Sequence, residues 1–305
     1  MADHTSSHLP SRREIFAAGI IAPLGLGAFG QSATTGAAPG PPPYTISINI
    51  ELMFRAMNLS KADRLKIIAA QGFKAYSFWT ATPEERAALV KAQRELGLTC
   101  VSLVGTGTAG GTTGFTRPGA QEALLAEIRE RVAVAQEFGT PDLISFVGQI
   151  QNDVPWETQR AGIVDGLKRA GDIAGKAGVT ITVEPLSIEA NQPRRALDRT
   201  LECFPVIQDV NHPNVKVCFD LYHLQRTEGN LVVNLRRGLA SRVIKVVQIG
   251  DVPGRLEPGT GEINYAFIFK ELRRLGYSGY VDTEMGTSST AEHAMDVVRR
   301  LAHEN

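Results

Sequence analysis

Short apolar runs alternate with longer amphipathic segments along the chain from Tyr44 onward. Runs rich in β-branched residues are typical of buried strands, whereas apolar positions three or four residues apart are typical of helices. A helical pattern follows each apolar run, so the runs are read as strands that alternate with helices. The pattern predicts eight strands, which span Thr45–Leu52, Phe73–Phe78, Thr99–Val104, Asp142–Val147, Thr180–Glu184, Val215–Asp220, Ile244–Ile249 and Tyr280–Glu284.

Capping residues mark the ends of several predicted helices. The helix predicted over Pro83–Leu96 begins directly after Thr82, whose hydroxyl suits an N-cap, and ends before Gly97. Two further helices are predicted over Ala120–Phe138 and Thr158–Ala177, and a glycine follows each of them. Because strands joined by helical crossovers lie parallel, the chain is expected to form a parallel sheet.

The number of strand–helix repeats predicts the fold class. Eight parallel strands close into a (β/α)8 TIM barrel, which typically takes about 250 residues as a single domain. The predicted barrel covers residues 44–304. A doubly wound open sheet is the alternative, but no Gly-x-Gly-x-x-Gly motif follows an early strand to support a dinucleotide site.

The segment before the barrel has a different composition. Arg12 and Arg13 form a basic pair that precedes an apolar, Gly/Ala-rich stretch of 15 residues, Phe16–Gly30. This pattern resembles a twin-arginine export signal, so residues 1–38 are predicted to be a signal peptide and linker, and the protein is expected in the periplasm. A membrane-spanning helix needs about 20 apolar residues, so no stable membrane span is expected. The Pro/Gly-rich run Ala37–Pro43 is predicted to be a stiff linker.

Composition narrows the choice of partners. The 32 basic and 32 acidic side chains cancel, so the chain lacks the basic excess that nucleic-acid-binding proteins use. The three cysteines, Cys100, Cys203 and Cys218, cannot all pair with one another and are expected to be buried free thiols. We therefore expect a small-molecule substrate and no nucleic acid. The sequence leaves the formation of a homo-oligomer open.

Oxygen-bearing side chains stand at the ends of the last four predicted strands. Glu184, Asp220, Gln248 and Glu284 are separated by 36, 28 and 36 residues, and each interval is one strand–helix–strand repeat. The carboxyl ends of barrel strands meet at one mouth, where the active sites of TIM barrels lie. The four side chains are therefore expected to converge.

Converging carboxylates repel one another unless a cation or protons compensate their charge. A set of oxygen ligands favours one divalent ion, Mn²⁺ or Mg²⁺, over zinc. Such an ion, chelated by neighbouring hydroxyl and carbonyl oxygens, stabilises an enediolate. Glu184 and Glu284, placed on opposite sides of the substrate, can then move a proton between adjacent carbons. This chemistry interconverts an aldose and a ketose, or inverts a carbon beside a carbonyl.

Five segments resemble the hydroxypyruvate isomerase family of the xylose isomerase-like barrel superfamily. They are Glu184–Ser187, Phe219–His223, Val247–Arg255, Glu257–Tyr265 and Gly276–Glu284. The resemblance implies that the four strand-end residues are metal ligands and that Glu184 and Glu284 also form the proton-transfer pair. It further implies that His223 contacts a substrate oxygen beside the metal and that Arg255 orients a substrate oxygen or carboxylate.

Other residues near the predicted mouth leave alternatives open. Trp79, after the second strand, is expected either to wall the substrate pocket or to pack under the Gly-rich loop Gly105–Gly114, itself predicted to cover the barrel mouth. Glu257 and Glu262 share a loop with Arg255 and are expected to form ion pairs within it.

The sequence defines the substrate less closely than it defines the type of reaction. Ser77, Ser145 and Val246 stand where the hydroxypyruvate isomerase branch tends to have a glutamate and two histidines. The leading hypothesis is a metal-dependent isomerase of sugars or 2-oxo acids. The alternatives are a ketose or keto-sugar epimerase of the same superfamily, and an exported sugar-acid-binding protein without turnover.

Overall fold

The computed structural model describes residues 40–107, 111–187 and 193–305, so the predicted signal peptide lies outside the described residues. Eight parallel strands form a closed barrel in which each strand pairs with the next and the last pairs with the first. The strands are β1 Thr45–Asn49, β2 Ala75–Ser77, β3 Thr99–Val104, β4 Asp142–Ser145, β5 Thr180–Val183, β6 Val215–Asp220, β7 Ile244–Gln248 and β8 Tyr280–Asp282. This order confirms the predicted TIM barrel and excludes the doubly wound sheet.

Helices surround the barrel, and their apolar faces pack against the strands. In chain order they are α1 Lys61–Ala70, α2 Pro83–Leu96, α3 Gln121–Phe138, α4 Trp156–Gly175, α5 Thr200–Val210, α6 Leu221–Thr227, α7 Leu231–Ala240, α8 Tyr265–Arg274 and α9 Ala291–Glu304. Two helices, α6 and α7, connect β6 to β7.

Helix α2 has the bounds that its capping residues predicted. The Thr82 hydroxyl accepts a hydrogen bond from the Glu85 amide at 3.3 Å, and the Glu85 carboxylate accepts one from the Thr82 amide at 2.8 Å. Gly97 ends the helix with a left-handed φ of 63°, which favours glycine. Helix α4 begins two residues earlier than predicted, because Pro155 rather than a later residue occupies its N-cap.

Two kinds of side chain fill the inside of the barrel. Ile144, Cys218 and Val246 form a small apolar cluster on the side of β4, β6 and β7. The side of β1, β2 and β8 is polar: Ser77 donates its hydroxyl hydrogen to the Asp282 carboxylate, whose two oxygens both lie 2.8 Å away. Burial raises the pKa of Asp282 to about 6, although hydrogen bonds from the neighbouring serines oppose the shift. A polar barrel interior therefore lies directly below β8's carboxyl end.

The chain enters the barrel at the end opposite the mouth. Arg273, in the last turn of α8, donates to the carbonyls of Gly40 at 2.8 Å and Pro41 at 3.2 Å. The same guanidinium donates to the Asn305 carbonyl at 2.9 Å, so residues 40–41 lie beside the carboxyl terminus.

The state of the cysteines agrees with a further expectation from sequence. Cys100, Cys203 and Cys218 are buried free thiols, as predicted, and burial raises the pKa of Cys100 to about 12. Within the described ranges, no helix is both long enough and apolar enough to cross a membrane.

Candidate active site

The four predicted strand-end residues lie at the carboxyl ends of adjacent strands. Asp220 and Gln248 are the last residues of β6 and β7, while Glu184 and Glu284 lie one and two residues beyond β5 and β8. All four side chains are buried, with at most 6% of each residue exposed. Hydrogen bonds and ion pairs link them into one cluster at the mouth of the barrel.

His223 joins Glu184 and Asp220. The histidine Nε2 lies 3.7 Å from a carboxylate oxygen of each residue, and candidate ligand atoms of the three residues all lie within 4.8 Å of one another. On the other side of the ring, Nδ1 accepts a hydrogen bond from the Ser187 amide at 3.3 Å. Because Nδ1 accepts, the ring proton of neutral His223 is on Nε2 and points into the site. This tautomer suits a hydrogen-bond donor to substrate better than a metal ligand.

Arg255 bridges the two sides of the cluster. Its Nη2 lies 3.0 Å from Asp220 Oδ2 and 3.0 Å from Glu284 Oε1. The guanidinium carbon lies 4.9 Å above the centre of the Tyr222 ring, which holds its plane in place. Burial disfavours the charge on Arg255, but the surrounding carboxylates outweigh this effect and raise its pKa. The guanidinium therefore compensates part of the negative charge of the site.

Gln248 presents its amide nitrogen to the carboxylates. Its Nε2 donates to Glu284 Oε2 and, at 3.4 Å, to Asp282 Oδ2, while its Oε1 accepts a hydrogen bond from the Cys218 thiol at 3.1 Å. A carboxylate accepts hydrogen bonds, so it selects the nitrogen of the amide as its neighbour. Ligation of a metal by Gln248 requires rotation of this amide by about 180°, since only the oxygen is a ligand for a hard cation.

One buried carboxylate organises the loop that carries Arg255. Asp251 accepts hydrogen bonds from four backbone amides, those of Val252, Gly259, Gly261 and Ile263, at distances between 2.9 and 3.1 Å. A Cβ atom on Gly261 would lie 1.8 Å from the Val252 carbonyl oxygen, so only glycine fits there. Arg255 itself has a left-handed φ of 52°. The loop is therefore built around Asp251, and its conformation directs Arg255 into the mouth.

The predicted ion pairs between Arg255 and the glutamates of its loop are wrong. Glu257 turns to the loop after β8, where its carboxylate accepts a hydrogen bond from the Ser288 amide at 2.8 Å. Glu262 accepts a hydrogen bond from Gln225 at 3.0 Å. Arg255 lies instead between Asp220 and Glu284, whose carboxylate oxygens are each 3.0 Å from its guanidinium.

The proton affinities of two carboxylates are perturbed. Burial, followed by the charges of Glu284 and Asp220, raises the pKa of Glu184 well above its ordinary value. Burial also raises the pKa of Glu284 to about 7, although Arg255 opposes the shift. A carboxyl group with a pKa near neutrality can both accept and donate a proton under physiological conditions.

Trp79 lies beside this pair. Its residue is partly exposed, and a hydrogen bond from its side chain lowers the pKa of Glu284. Its backbone amide donates to Glu51 Oε1 at 3.1 Å. The role of Trp79 as a wall of the substrate pocket stays a prediction, since part of the Gly-rich loop of the alternative, residues 108–110, lies outside the described residues.

The three residues that depart from the hydroxypyruvate isomerase pattern have structural partners. Ser77 binds Asp282 inside the barrel, Ser145 donates to the Leu143 carbonyl at 3.2 Å, and Val246 belongs to the apolar cluster.

Sequence reasoning overlooked Arg195, in the loop after β5. Its guanidinium lies close enough to Glu184 for the carboxylate to affect its pKa. No motif marks this residue, because only the folded loop brings it to the mouth.

Comparisons with known proteins agree on the type of barrel. A family model described as a xylose isomerase-like TIM barrel matches residues 65–301. The chain is 31% identical over 226 residues to 2-oxo-tetronate isomerase of Cupriavidus necator. The alignment covers 73% of this chain and 85% of that protein. It is 32% identical over 175 residues to hydroxypyruvate isomerase of Escherichia coli (strain K12). That alignment covers 57% of this chain and 67% of that protein.

A solved structure shows the same fold. The crystal structure of an AP endonuclease of family 2 from Brucella melitensis matches with a TM-score of 0.74 and 24% identity, over 86% of this chain and 100% of that chain.

Proposed function

From the premise that this chain belongs to the xylose isomerase-like TIM barrel family, we propose that it is a metal-dependent isomerase of 2-oxo acids or related sugars. Its curated relatives are isomerases, and the chain is an enzyme of this type. One observation carries the proposal: Glu184 and Glu284 are buried at the mouth, both with a raised pKa. Strands β5 and β8 are three positions apart in the ring of eight, so the two carboxyl groups approach a central substrate from different sides.

The donor set fits a divalent cation. Glu184 Oε1 is buried and has no hydrogen-bond partner among the described residues, a state that an ionised oxygen occupies at high cost unless a cation lies beside it. Glu184, Asp220 and Glu284 would hold the ion, together with the Gln248 amide after its rotation. The bound ion would polarise the carbonyl and hydroxyl oxygens of the substrate. Oxygen donors favour Mn²⁺ or Mg²⁺ in this position.

Each residue of the site has its own role in the proposed reaction. One of Glu184 and Glu284 removes the proton from the hydroxyl-bearing carbon, and the other delivers a proton to the neighbouring carbonyl carbon. The hydroxyl proton moves to the former carbonyl oxygen, so atoms balance and no oxidant is required. His223 donates from Nε2 to a substrate oxygen, and Arg255 orients the oxygen nearest Asp220. The Trp79 ring limits access of water to the reacting carbons.

Proton exchange tests this function. The enzyme is incubated in D₂O with hydroxypyruvate, 2-oxo-tetronate and a panel of ketoses, first with Mn²⁺ and then after treatment with EDTA. We expect deuterium at the carbon beside the carbonyl, together with formation of the isomeric aldehyde, and loss of both after chelation. Binding without any exchange would instead identify a binding protein. Inversion of a carbon with the carbonyl left in place would identify an epimerase.

Export through a twin-arginine signal remains part of the proposal. The basic pair Arg12 and Arg13 and the apolar stretch Phe16–Gly30 support this part of the proposal. Replacement of Arg12 and Arg13 by lysine should retain the enzyme in the cytoplasm of its host, as measured by cell fractionation. An unchanged distribution would reject this route.

A further inference from the structure

Arg195 is held at the rim of the mouth by the backbone around it. Its main chain forms an isolated antiparallel bridge with Gln149, in the loop after β4. The next residue, Ala196, donates from its amide to the Gly148 carbonyl at 3.1 Å. Two neighbouring loops are thus joined at this point, so the position from which the Arg195 side chain extends is well defined.

The Arg195 side chain is half-buried and, among the described residues, lacks an anionic partner. Its Nη1 donates to the Gly111 carbonyl at 2.6 Å, and no carboxylate of the described residues forms an ion pair with it. Burial lowers the pKa of Arg195, and the nearby charge of Glu184 opposes that effect without contacting the guanidinium. Arg195 is therefore a partly buried cation whose charge no carboxylate of the described residues compensates.

The neighbouring residue shows what a structural arginine looks like in this loop. Arg194 binds Asp198 through two parallel hydrogen bonds of 2.8 and 3.0 Å, and it also contacts Glu202 at 3.3 Å. Its role is to neutralise a fully buried carboxylate within the loop. Arg195, one residue later, forms no such ion pair within the described part of the chain.

A guanidinium offers five donors in a planar fork, and the Gly111 carbonyl engages one of its nitrogens. The remaining donors match a carboxylate, which arginine binds in a bidentate manner. Arg255, the other arginine of the mouth, is already committed to Asp220 and Glu284. An acidic substrate entering a site rich in carboxylates needs a further positive charge to offset repulsion.

We propose that Arg195 binds the carboxylate of the substrate and thereby selects acids over neutral sugars, an inference that rests on the isomerase function proposed above. Glu184, one of the two groups assigned to proton transfer, and Arg195 both lie in the segment that follows β5, so an acid group at Arg195 directs the substrate to the side of the mouth that carries Glu184. Arg195 is thus a specificity-determining residue, and the Gly111 carbonyl orients it.

A matched pair of substrates tests this assignment. Hydroxypyruvate and dihydroxyacetone share the hydroxyl and carbonyl groups and differ only in a carboxylate that replaces a hydroxymethyl group. Kinetics of proton exchange in D₂O, followed by NMR over a range of concentrations, give kcat and KM for each. In Arg195→Met, we expect KM for hydroxypyruvate to rise about 10- to 100-fold, the usual effect of losing a hydrogen bond to a charged group, with a smaller change in kcat. Kinetic constants for dihydroxyacetone should stay within about twofold of wild type.

Two further variants make the result specific. Arg195→Lys keeps the charge and loses the fork, so it should show an intermediate KM for hydroxypyruvate and also serves if the methionine variant folds poorly by circular dichroism. Arg117→Met removes a positive charge from an exposed pair with Asp153 on neighbouring loops and should leave both substrates unaffected. Equal shifts for the acid and the neutral ketose, or no shift in either Arg195 variant, would overturn the assignment while the isomerase function stands. A wild-type enzyme that exchanges neither substrate nor any other of the panel would reject the isomerase function, and the role of Arg195 with it.

Discussion

The carboxyl ends of β5 to β8 differ sharply from those of β1 to β4. The later strands bring acidic and amide groups to the mouth, whereas the earlier strands end in neutral residues; the two sets are Glu184, Asp220, Gln248 and Glu284 against Asn49, Ser77, Val104 and Ser145. A carboxylate does follow β1, but Glu51 is paired with Lys61 at 3.0 Å. The comparison teaches that one half of the ring carries the proposed chemistry, while the other half shapes and supports it.

The polar interior of the first half serves this support. Asn49 donates to the Ser77 hydroxyl at 3.1 Å, and Ser77 donates in turn to Asp282. Asp282 lies two residues before Glu284 and also accepts a hydrogen bond from Gln248. Neutral donors on β1 and β2 therefore position the strand that carries a proposed proton-transfer group.

The largest expected effect comes from a substitution at the carboxyl ends of β5 to β8. Glu284→Gln keeps the shape of the side chain but cannot move a proton, so exchange of carbon-bound protons should fall about 100- to 10,000-fold. NMR in D₂O measures this rate, and Glu130→Gln, a change to an exposed carboxylate on α3, should retain the wild-type rate. Unchanged turnover in Glu284→Gln would remove this residue from the mechanism.

A second test concerns Asp142, a carboxyl group among β1 to β4 that lies away from the mouth. Asp142 begins β4, at the opposite end of the barrel, and burial raises its pKa from 3.8 to about 7, with a small opposing effect of Lys245. The folded state therefore keeps a proton that the unfolded chain has already released. This group's contribution to stability is complete below about pH 4 and is lost as the pH rises towards 7.

Asp142→Asn should remove that dependence. The free energy of unfolding of the variant, relative to wild type, should increase by up to about 4 kcal/mol between pH 4 and pH 8, since each pKa unit corresponds to about 1.4 kcal/mol. Urea unfolding at both pH values measures the difference, and proton exchange with substrate should be unaffected. A relative stability that does not change with pH would mean that Asp142 titrates normally.

The smallest expected effect tests the supporting role of β2. Ser77→Ala removes a hydrogen-bond donor from the buried Asp282 carboxylate, so its pKa should rise further above about 6. The free energy of unfolding at pH 8 should fall by about 1–3 kcal/mol. Exchange kinetics should change much less than in Glu284→Gln. A loss of activity as large as that of Glu284→Gln would show that the two halves share the chemistry.

Much of the architecture followed from local patterns. The alternation of apolar runs and amphipathic segments identified all eight strands, and Thr82 and Gly97 located both ends of α2. These predictions succeeded because strand and helix periodicity, and the capping of helix ends, depend on residues close together in the chain. The strand-end residues of the site could be identified in the same way, since each follows directly from the position of its strand.

Contacts between distant loops could not be predicted. Glu257 binds Ser288 instead of Arg255, and the Gln248 amide directs its nitrogen to Glu284 because a carboxylate lies there. Each outcome depends on which charges lie within a few ångströms after folding, and the sequence alone does not define these distances.

The sequence by itself determined that this protein is a barrel of eight parallel strands with oxygen-bearing side chains at the ends of the last four, because both properties repeat with the period of the strand–helix unit. Only the tertiary structure decided which arginine side chains lie close to those groups. Arg255 reaches Asp220 and Glu284 through a loop built on Asp251, while Arg195 lies in the loop after β5 and forms no ion pair with the described residues. The physical reason is that electrostatic interactions depend on distance and burial in space, which loop packing sets and local periodicity does not.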